Sequence, residues 1–177
     1  LTAPFLGLLF YFRFVSSFFK TNRNSSAAIF TLLGIAIIYS WVGLTAQSGG
    51  GGQDSWNHYL FARWCYDHPM KMLDLWGKPF FTIFASPFAQ YGIHAVYLMN
   101  IIATLFTAWV TYLTGRKLGM RNPWMLILLF GLQPVVLANF FSALTEPTNA
   151  LAISVILYLL VSKKYRLGLF IASFLPL

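Results

Sequence analysis

Only four carboxylates occur in the 177 residues, Asp54, Asp67, Asp74 and Glu146, against 12 lysines and arginines. So few acids in so apolar a chain make each one a candidate for chemistry. Asp54 comes first. It follows four consecutive glycines in "QSGGGGQDSWNHY" and precedes His58 by one helical turn. A carboxylate can take the proton from a hydroxyl nucleophile as a general base. It can equally cap a helix that begins at Ser55. The four-residue spacing puts His58 on the same helix face, an arrangement that could start a metal site. No third ligand is evident nearby, so no metal and no other cofactor is expected. The glycines also allow two readings: a hinge, or backbone whose N–H groups a substrate could approach without side-chain obstruction.

Other candidates would bind rather than react. Lys78, in "LWGKPFFTIFASP", can hold a lipid phosphate as a point charge or snorkel beside an apolar helix. Arg63 offers a bidentate alternative. Tyr59, with Trp56, suits either an interface anchor or a sugar platform. Glu146 closes "ANFFSALT" at the end of an apolar run. A carboxylate there suggests a functional role or a charge at a helix N-terminus. The single cysteine, Cys65, rules out an internal disulfide.

The elements that must position these residues are apolar. The chain is 58% hydrophobic and 9% charged, with a mean hydropathy of +0.68, whereas soluble domains carry about 25% charged residues. An all-α, multi-pass transmembrane helix bundle is expected. Spans fit 27–46, 93–113, 124–144 with a kink at Pro134, 148–162, and an incomplete 167–177. Residues 1–19 read as an interfacial helix rather than an extra span, because Arg13 falls inside them. The chain reads as a single transmembrane domain, the N-terminal part of a longer protein. The net charge of +8 does not indicate nucleic acid. The cations cluster in short segments between spans, at Lys20 and Arg23, at Arg116, Lys117 and Arg121, and at Lys163, Lys164 and Arg166, as the positive-inside rule requires. With those clusters cytoplasmic, all four acids fall on the outer side.

The long outer loop, 47–92, carries two expected juxtamembrane helices. One runs from Asp54 to Tyr66, with Trp56, Tyr59, Leu60, Arg63 and Trp64 recurring at three and four, and Pro69 ends it. The other is "PFFTIFASPFA", Pro79 to Ala89, apolar but too short to span. Asn122-Pro123 should start the helix at Trp124, and Gly119 should stop the one before it.

An early loop acid in "GGQDSWNHYLFAR", a Lys-Pro with an apolar stretch in "WGKPFFTIFASP", and a later hairpin with a central proline and an outer acid in "GLQPVVLANFFSALTEPTNALAISVILYLL" follow one another. In this order they resemble the N-terminal part of membrane glycosyltransferases of the GT-C superfamily, in the branch of protein O-mannosyltransferases and aminoarabinose transferases. The resemblance covers roughly Ala27 to Ser162. It implies an integral protein of a bacterial inner membrane that transfers a sugar from a polyprenyl-phosphate donor to an acceptor outside the cytoplasm. It assigns Asp54 as the catalytic base, Lys78 to the carrier phosphate, and Glu146 to the outer end of the later hairpin. Arg63, His58 and Tyr59 would line the substrate site. The chain departs from the pattern at Ser55, where many relatives have a second acid, and at Gly77, where many have Glu. The competing expectation is a non-enzymatic membrane subunit, a scaffold or lipid carrier that would need the cations but not Asp54.

Overall fold

The computed structural model describes residues 3–46, 49–74 and 78–173, with side chains from 24 onward except at 73. Gly77 and the last four residues of the expected fifth span lie outside the described residues. Eight α-helices and no strand occur among those described. The helices are α1 (Ala3–Thr45), α2 (Gly52–Trp64), α3 (Pro79–Ala89), α4 (Ile93–Lys117), α5 (Met125–Gly131), α6 (Pro134–Asn139), α7 (Glu146–Val161) and α8 (Tyr165–Ala172), with a 3-10 turn at Pro69–Leu73.

Two helices are long and apolar enough to cross a membrane, the Asn24–Thr45 part of α1 and all of α4. At 1.5 Å per residue they measure about 33 and 38 Å, enough for a hydrocarbon core of about 30 Å. They run antiparallel. At one end Asn24 Nδ2 donates to the Arg121 carbonyl at 3.2 Å, and the Ser25 and Tyr112 hydroxyls meet at 3.3 Å. Nearer the other end, Gly43 approaches Ile101 and Phe141. One core sits between α1, α4 and α5, around Ile35, Tyr39, Tyr112, Ile127 and Phe140. The Tyr39 ring stacks on Phe140 at 4.0 Å, and its hydroxyl donates to the Gly131 carbonyl at 3.0 Å. A second core joins α2, α3 and α4 around Tyr59, Phe81, Ala85, Val96 and Tyr97.

Several expectations are corrected. Of the expected interfacial helix 1–19, the described residues 3–19 are not set apart: α1 continues unbroken for 43 residues. Nothing in "KTNRNSS" removes an N–H or demands a left-handed residue, so the helix propagates through it. The expected span 124–144 is two short helices, α5 of seven residues and α6 of six. Pro134 disfavours a helical conformation for the residue before it. Gln133 is accordingly extended, at φ −66° and ψ 134°, and Pro134 opens α6. The helix after Asn122-Pro123 starts at Met125, because those two residues form a turn whose carbonyls accept from Met125 and Leu126. The fourth expected span is α7, 16 residues or about 24 Å long. Of the fifth, α8 covers Tyr165–Ala172. The stop at Gly119 is as expected: with φ +74°, its N–H donates to Arg116 while Met120 donates to Gly115, which closes the carbonyl end of α4.

Both loop helices form, but α2 begins at Gly52 rather than at Asp54 or Ser55, and it ends at Trp64, well before Pro69. Its buried face is Ser55, His58, Tyr59 and Ala62. Trp56 and Trp64 are exposed. Small side chains let α2 settle closely on α3, whose buried residues are Phe81, Thr82, Ala85, Ser86 and Ala89. The bulky indoles are excluded from so narrow a seam.

The glycines before α2 act as a close-packed strap rather than a hinge. A Cβ on Gly49 would lie 2.3 Å from the Tyr97 ring, and one on Gly50 would lie 2.6 Å from the Ala138 carbonyl oxygen. Gly51 turns the chain at φ +85° against Leu144. Gly34, in α1, has nothing within 4 Å of its would-be Cβ. Gly50→Ala should therefore lower the thermal unfolding midpoint of the detergent-solubilised protein, by a cost of roughly 1–3 kcal/mol. Gly34→Ala should leave it unchanged or raise it, by up to about 1 kcal/mol. Equal effects from the two would contradict the strap.

Candidate functional site

The breaks in the later hairpin bring three elements to one place. After α6 the chain does not re-enter a helix until Glu146, so residues 140–145 run as irregular backbone beside α4. Their polar groups are met one by one. Gly50 N–H donates to the Phe141 carbonyl at 2.8 Å. Asn100 Nδ2 donates to the Ser142 and Leu144 carbonyls, both at 2.8 Å. Ser55 Oγ accepts from Ala143 N–H at 2.6 Å, and Ser142 Oγ accepts from Leu144 N–H at 3.2 Å while donating to Asn139 O at 2.6 Å. The N-terminal ends of α2 and α7 therefore abut the same few residues. Each carries its acid in the first turn, Asp54 and Glu146 respectively, where the positive end of the helix dipole favours a carboxylate.

A cavity of about 230 Å³ opens where α5 breaks from α6. Glu146, Gln133, Asn139, Thr104 and Thr107 supply its polar lining, and Phe130 and Phe140 are among its apolar walls. Thr104 and Thr107 are buried, and both hydroxyls donate back to α4 carbonyls at 2.8 Å. Apolar walls with a few convergent polar groups are the usual make-up of a small-ligand site. A second, apolar groove of about 450 Å³ runs along Phe80, Phe84 and Phe88 of α3, Ala103 and Phe106 of α4, and Thr148 and Val155 of α7. The two share a wall: Ala103 and Thr148 face the groove, while their chain neighbours Thr104 and Pro147 face the polar cavity.

The expected site residues divide between these features. Glu146 lines the polar cavity. Asp54 is exposed and is not the N-cap, since Gly51 holds that position. His58 is buried, with its ring edge-on to Phe81 at 5.8 Å. Although one turn apart, Asp54 and His58 thus face different surroundings: the buried stripe on α3 includes His58 and excludes Asp54. Among the described residues no three of His, Cys, Asp and Glu gather into a metal-binding group. Tyr59 and Arg63 do come together. The Tyr59 hydroxyl, on a buried ring, accepts from Arg63 Nη1 at 3.1 Å, and Gln90 Nε2 donates to the Arg63 carbonyl at 3.1 Å. Arg63 is thereby tied to its own helix and to the end of α3. Lys78 is exposed just before α3, in the left-handed conformation at φ +42°. Neither Asp54 nor Lys78 lines the polar cavity or the apolar groove. Cys65 is buried beneath α2, and burial pushes its thiol pKa up against the smaller lowering by Lys71.

Gln133, Asn139, Thr104 and Thr107 were not singled out from the sequence. One signal was available. Asn100, Thr104, Thr107, Thr111 and Thr114 recur along "NIIATLFTAWVTYLT" at the spacing of one helix face. A polar stripe in an otherwise apolar span must face protein or a polar cavity. No family model matches the chain, and no curated protein or solved structure is significantly similar to it.

Asn100 is fully buried and alone supplies donors to two carbonyls. Asn100→Ala should destabilise the protein by roughly 1–3 kcal/mol for each carbonyl left without a donor. Asn100→Asp has the same size but no donor when ionised, and should be at least as damaging. Thermal unfolding in detergent measures both. A well-tolerated Asn100→Asp would show that volume, rather than hydrogen bonding, matters at this position.

Proposed function

We propose that the chain is the core of a multi-pass membrane glycosyltransferase, with α1 and α4 crossing the bilayer and the acid-bearing end on the non-cytoplasmic side of a bacterial inner membrane. The observation that carries this reading is the shared wall between groove and cavity. A polyprenyl-phosphate sugar is an amphiphile, with a long apolar tail next to a charged phosphate and a polyhydroxyl head. An apolar groove lined by four phenylalanines, backing onto a cavity with a carboxylate and two amides, suits both parts of such a molecule. In this reading Asp54 takes the proton from the acceptor hydroxyl, whose oxygen forms a bond to the anomeric carbon as the carrier phosphate leaves with the electrons of the broken bond. Lys78 stabilises the charge that develops on the departing phosphate. Asp54 and Lys78 must then approach the sugar–phosphate linkage from the exposed surface beside α2 and α3, with the acceptor arriving from that side, the sugar in the cavity and the tail in the groove.

A second reading has its own support. Asp54 is exposed and lines neither cavity nor groove, as a lipid carrier or scaffold without transfer chemistry would have it. Transfer of a radiolabelled sugar from a polyprenyl-phosphate donor, together with direct donor binding, separates the two. In the enzyme reading Asp54→Asn slows transfer by roughly 10²–10⁴-fold and leaves donor affinity nearly unchanged. Lys78→Ala weakens donor binding by about ten- to a hundredfold. Full activity in Asp54→Asn overturns the assigned base. Donor binding with no transfer by the wild-type full-length protein supports the carrier.

A further inference from the structure

Three exposed cations meet at the turn between α7 and α8, and no acid lies close to them. Lys163, Lys164 and Arg166, with Tyr165 and Leu167, line an open concavity of about 430 Å³. Lys163 adopts the left-handed conformation at φ +60°, so the turn reverses the chain tightly and gathers the cations on one short segment. The four acids of the chain belong elsewhere. Glu146 stands at the opposite end of α7, about 24 Å away along the helix. Asp54 lies at the start of α2, which the Ser55–Ala143 bond pins to that same distant end. Asp67 and Asp74 belong to the connection from α2 to α3. Other cations of the chain rest on aromatic rings: Arg116 lies over Tyr112 at 5.7 Å and Lys71 over Trp64 at 4.9 Å.

Apolar surface accompanies the charge. Tyr165, Leu167 and Leu169 are all about half exposed or more, at 56%, 49% and 66%. α8 folds back on α7, with Gly168 buried beside Leu159 and Leu160. A +3 concavity edged by exposed aromatic and aliphatic side chains complements a group that joins a negative head to acyl chains. A free phosphate would use the charges and leave the apolar surface in water.

We propose that the Lys163–Leu167 turn binds the phosphate-bearing headgroup of an anionic phospholipid. The inference rests on the membrane-embedded part of the functional reading and is independent of any transferase activity. The binding would dock the α7–α8 end of the bundle against an anionic leaflet, away from the end that carries Asp54 and Glu146. Retention is then set by ionic strength and lipid charge.

Native mass spectrometry of the full chain, released from micelles doped with equal amounts of phosphatidylglycerol and phosphatidylcholine, tests the proposal. The expected result is preferential retention of phosphatidylglycerol. The triple variant Lys163→Asn, Lys164→Gln, Arg166→Gln should lose that preference by at least tenfold, given about fivefold per cation near an anionic surface. Asn is chosen at 163 because it tolerates the left-handed conformation. The control variant Arg116→Gln, Lys117→Gln, Arg121→Gln should retain it. An undiminished preference in the first variant, or loss only in the control, overturns the assignment. So does displacement of phosphatidylglycerol by millimolar inorganic phosphate, which would make the turn a simple anion site. Should the triple variant fail to fold by circular dichroism, the single variant Lys164→Gln with a salt titration of the wild type decides. The preference must then fall between about 50 and 500 mM salt, and a salt-independent preference rejects the proposal. Retention of neither lipid would overturn the membrane reading itself, whereas loss of sugar transfer alone would leave this site standing.

Discussion

The fold depends on satisfying the backbone of residues 140–145. Asn100, which holds two of their carbonyls, lies about 10 Å along α4 from its start at Ile93. If α4 spans a bilayer, this irregular segment dips well below the surface, where an unsatisfied backbone group costs several kcal/mol. Irregular backbone persists at that depth only when protein supplies what water cannot. Here the supply comes from three separate parts of the chain: Gly50, Ser55 and Asn100. Each of the three is thereby constrained in identity. Gly50 must lack a side chain to reach Phe141, Ser55 must offer a small acceptor from within α2, and Asn100 must carry two donors on one short arm. The same bonds fix where α2 begins, and with it where Asp54 emerges.

This accounts for what was legible in the sequence. The two long apolar helices follow from length and hydropathy, and the stop at Gly119 follows from a single residue whose backbone preference is strong. The two loop helices follow from their composition. Less accessible was everything decided by a partner distant in the chain. The run 124–144 has the length and hydropathy of a span, yet it breaks in two, because Pro134 requires an extended Gln133 and because Gly50, Ser55 and Asn100 are placed to satisfy the chain beyond Asn139. The buried face of α2 is decided in a similar way: spacing marks Trp56, Tyr59, Leu60, Arg63 and Trp64 as recurring at three and four, whereas packing against α3 and Ala143 buries Ser55, His58, Tyr59 and Ala62.

The glycines also gain a definite meaning. Four in a row read as freedom of motion, but the first three are tightly surrounded, by Tyr97, the Ala138 carbonyl and Leu144. They are small because the strap passes between α4 and the irregular segment, with no room for a Cβ. A flexible lead into α2 would let Asp54 sample many positions. A packed strap holds the helix start in one place, which is the condition a positioned general base requires.

The same stretch of chain contains two kinds of polar group, those that bond to one another and those that line a cavity. Within 140–145 and its three partners, the donors of Gly50 and Asn100 and the acceptor of Ser55 are taken up by the segment's own backbone, although the buried Asn100 Oδ1 has no hydrogen-bond partner among the described residues. A few residues to either side, the side chains of Gln133, Asn139 and Glu146 make no hydrogen bond to protein among the described residues, and all three line one cavity. Asn139 takes part in both: its carbonyl accepts from Ser142, and the residue lines the cavity. Glu146 and Gln133 are exposed and Asn139 is partly buried, so a carboxylate and two amides that no protein group engages remain open to a polar ligand at the cavity. The Pro134 break is therefore coupled to the cavity: ending α5 one turn before α6 creates the opening, and the satisfied segment beyond it keeps the break from costing the fold its stability.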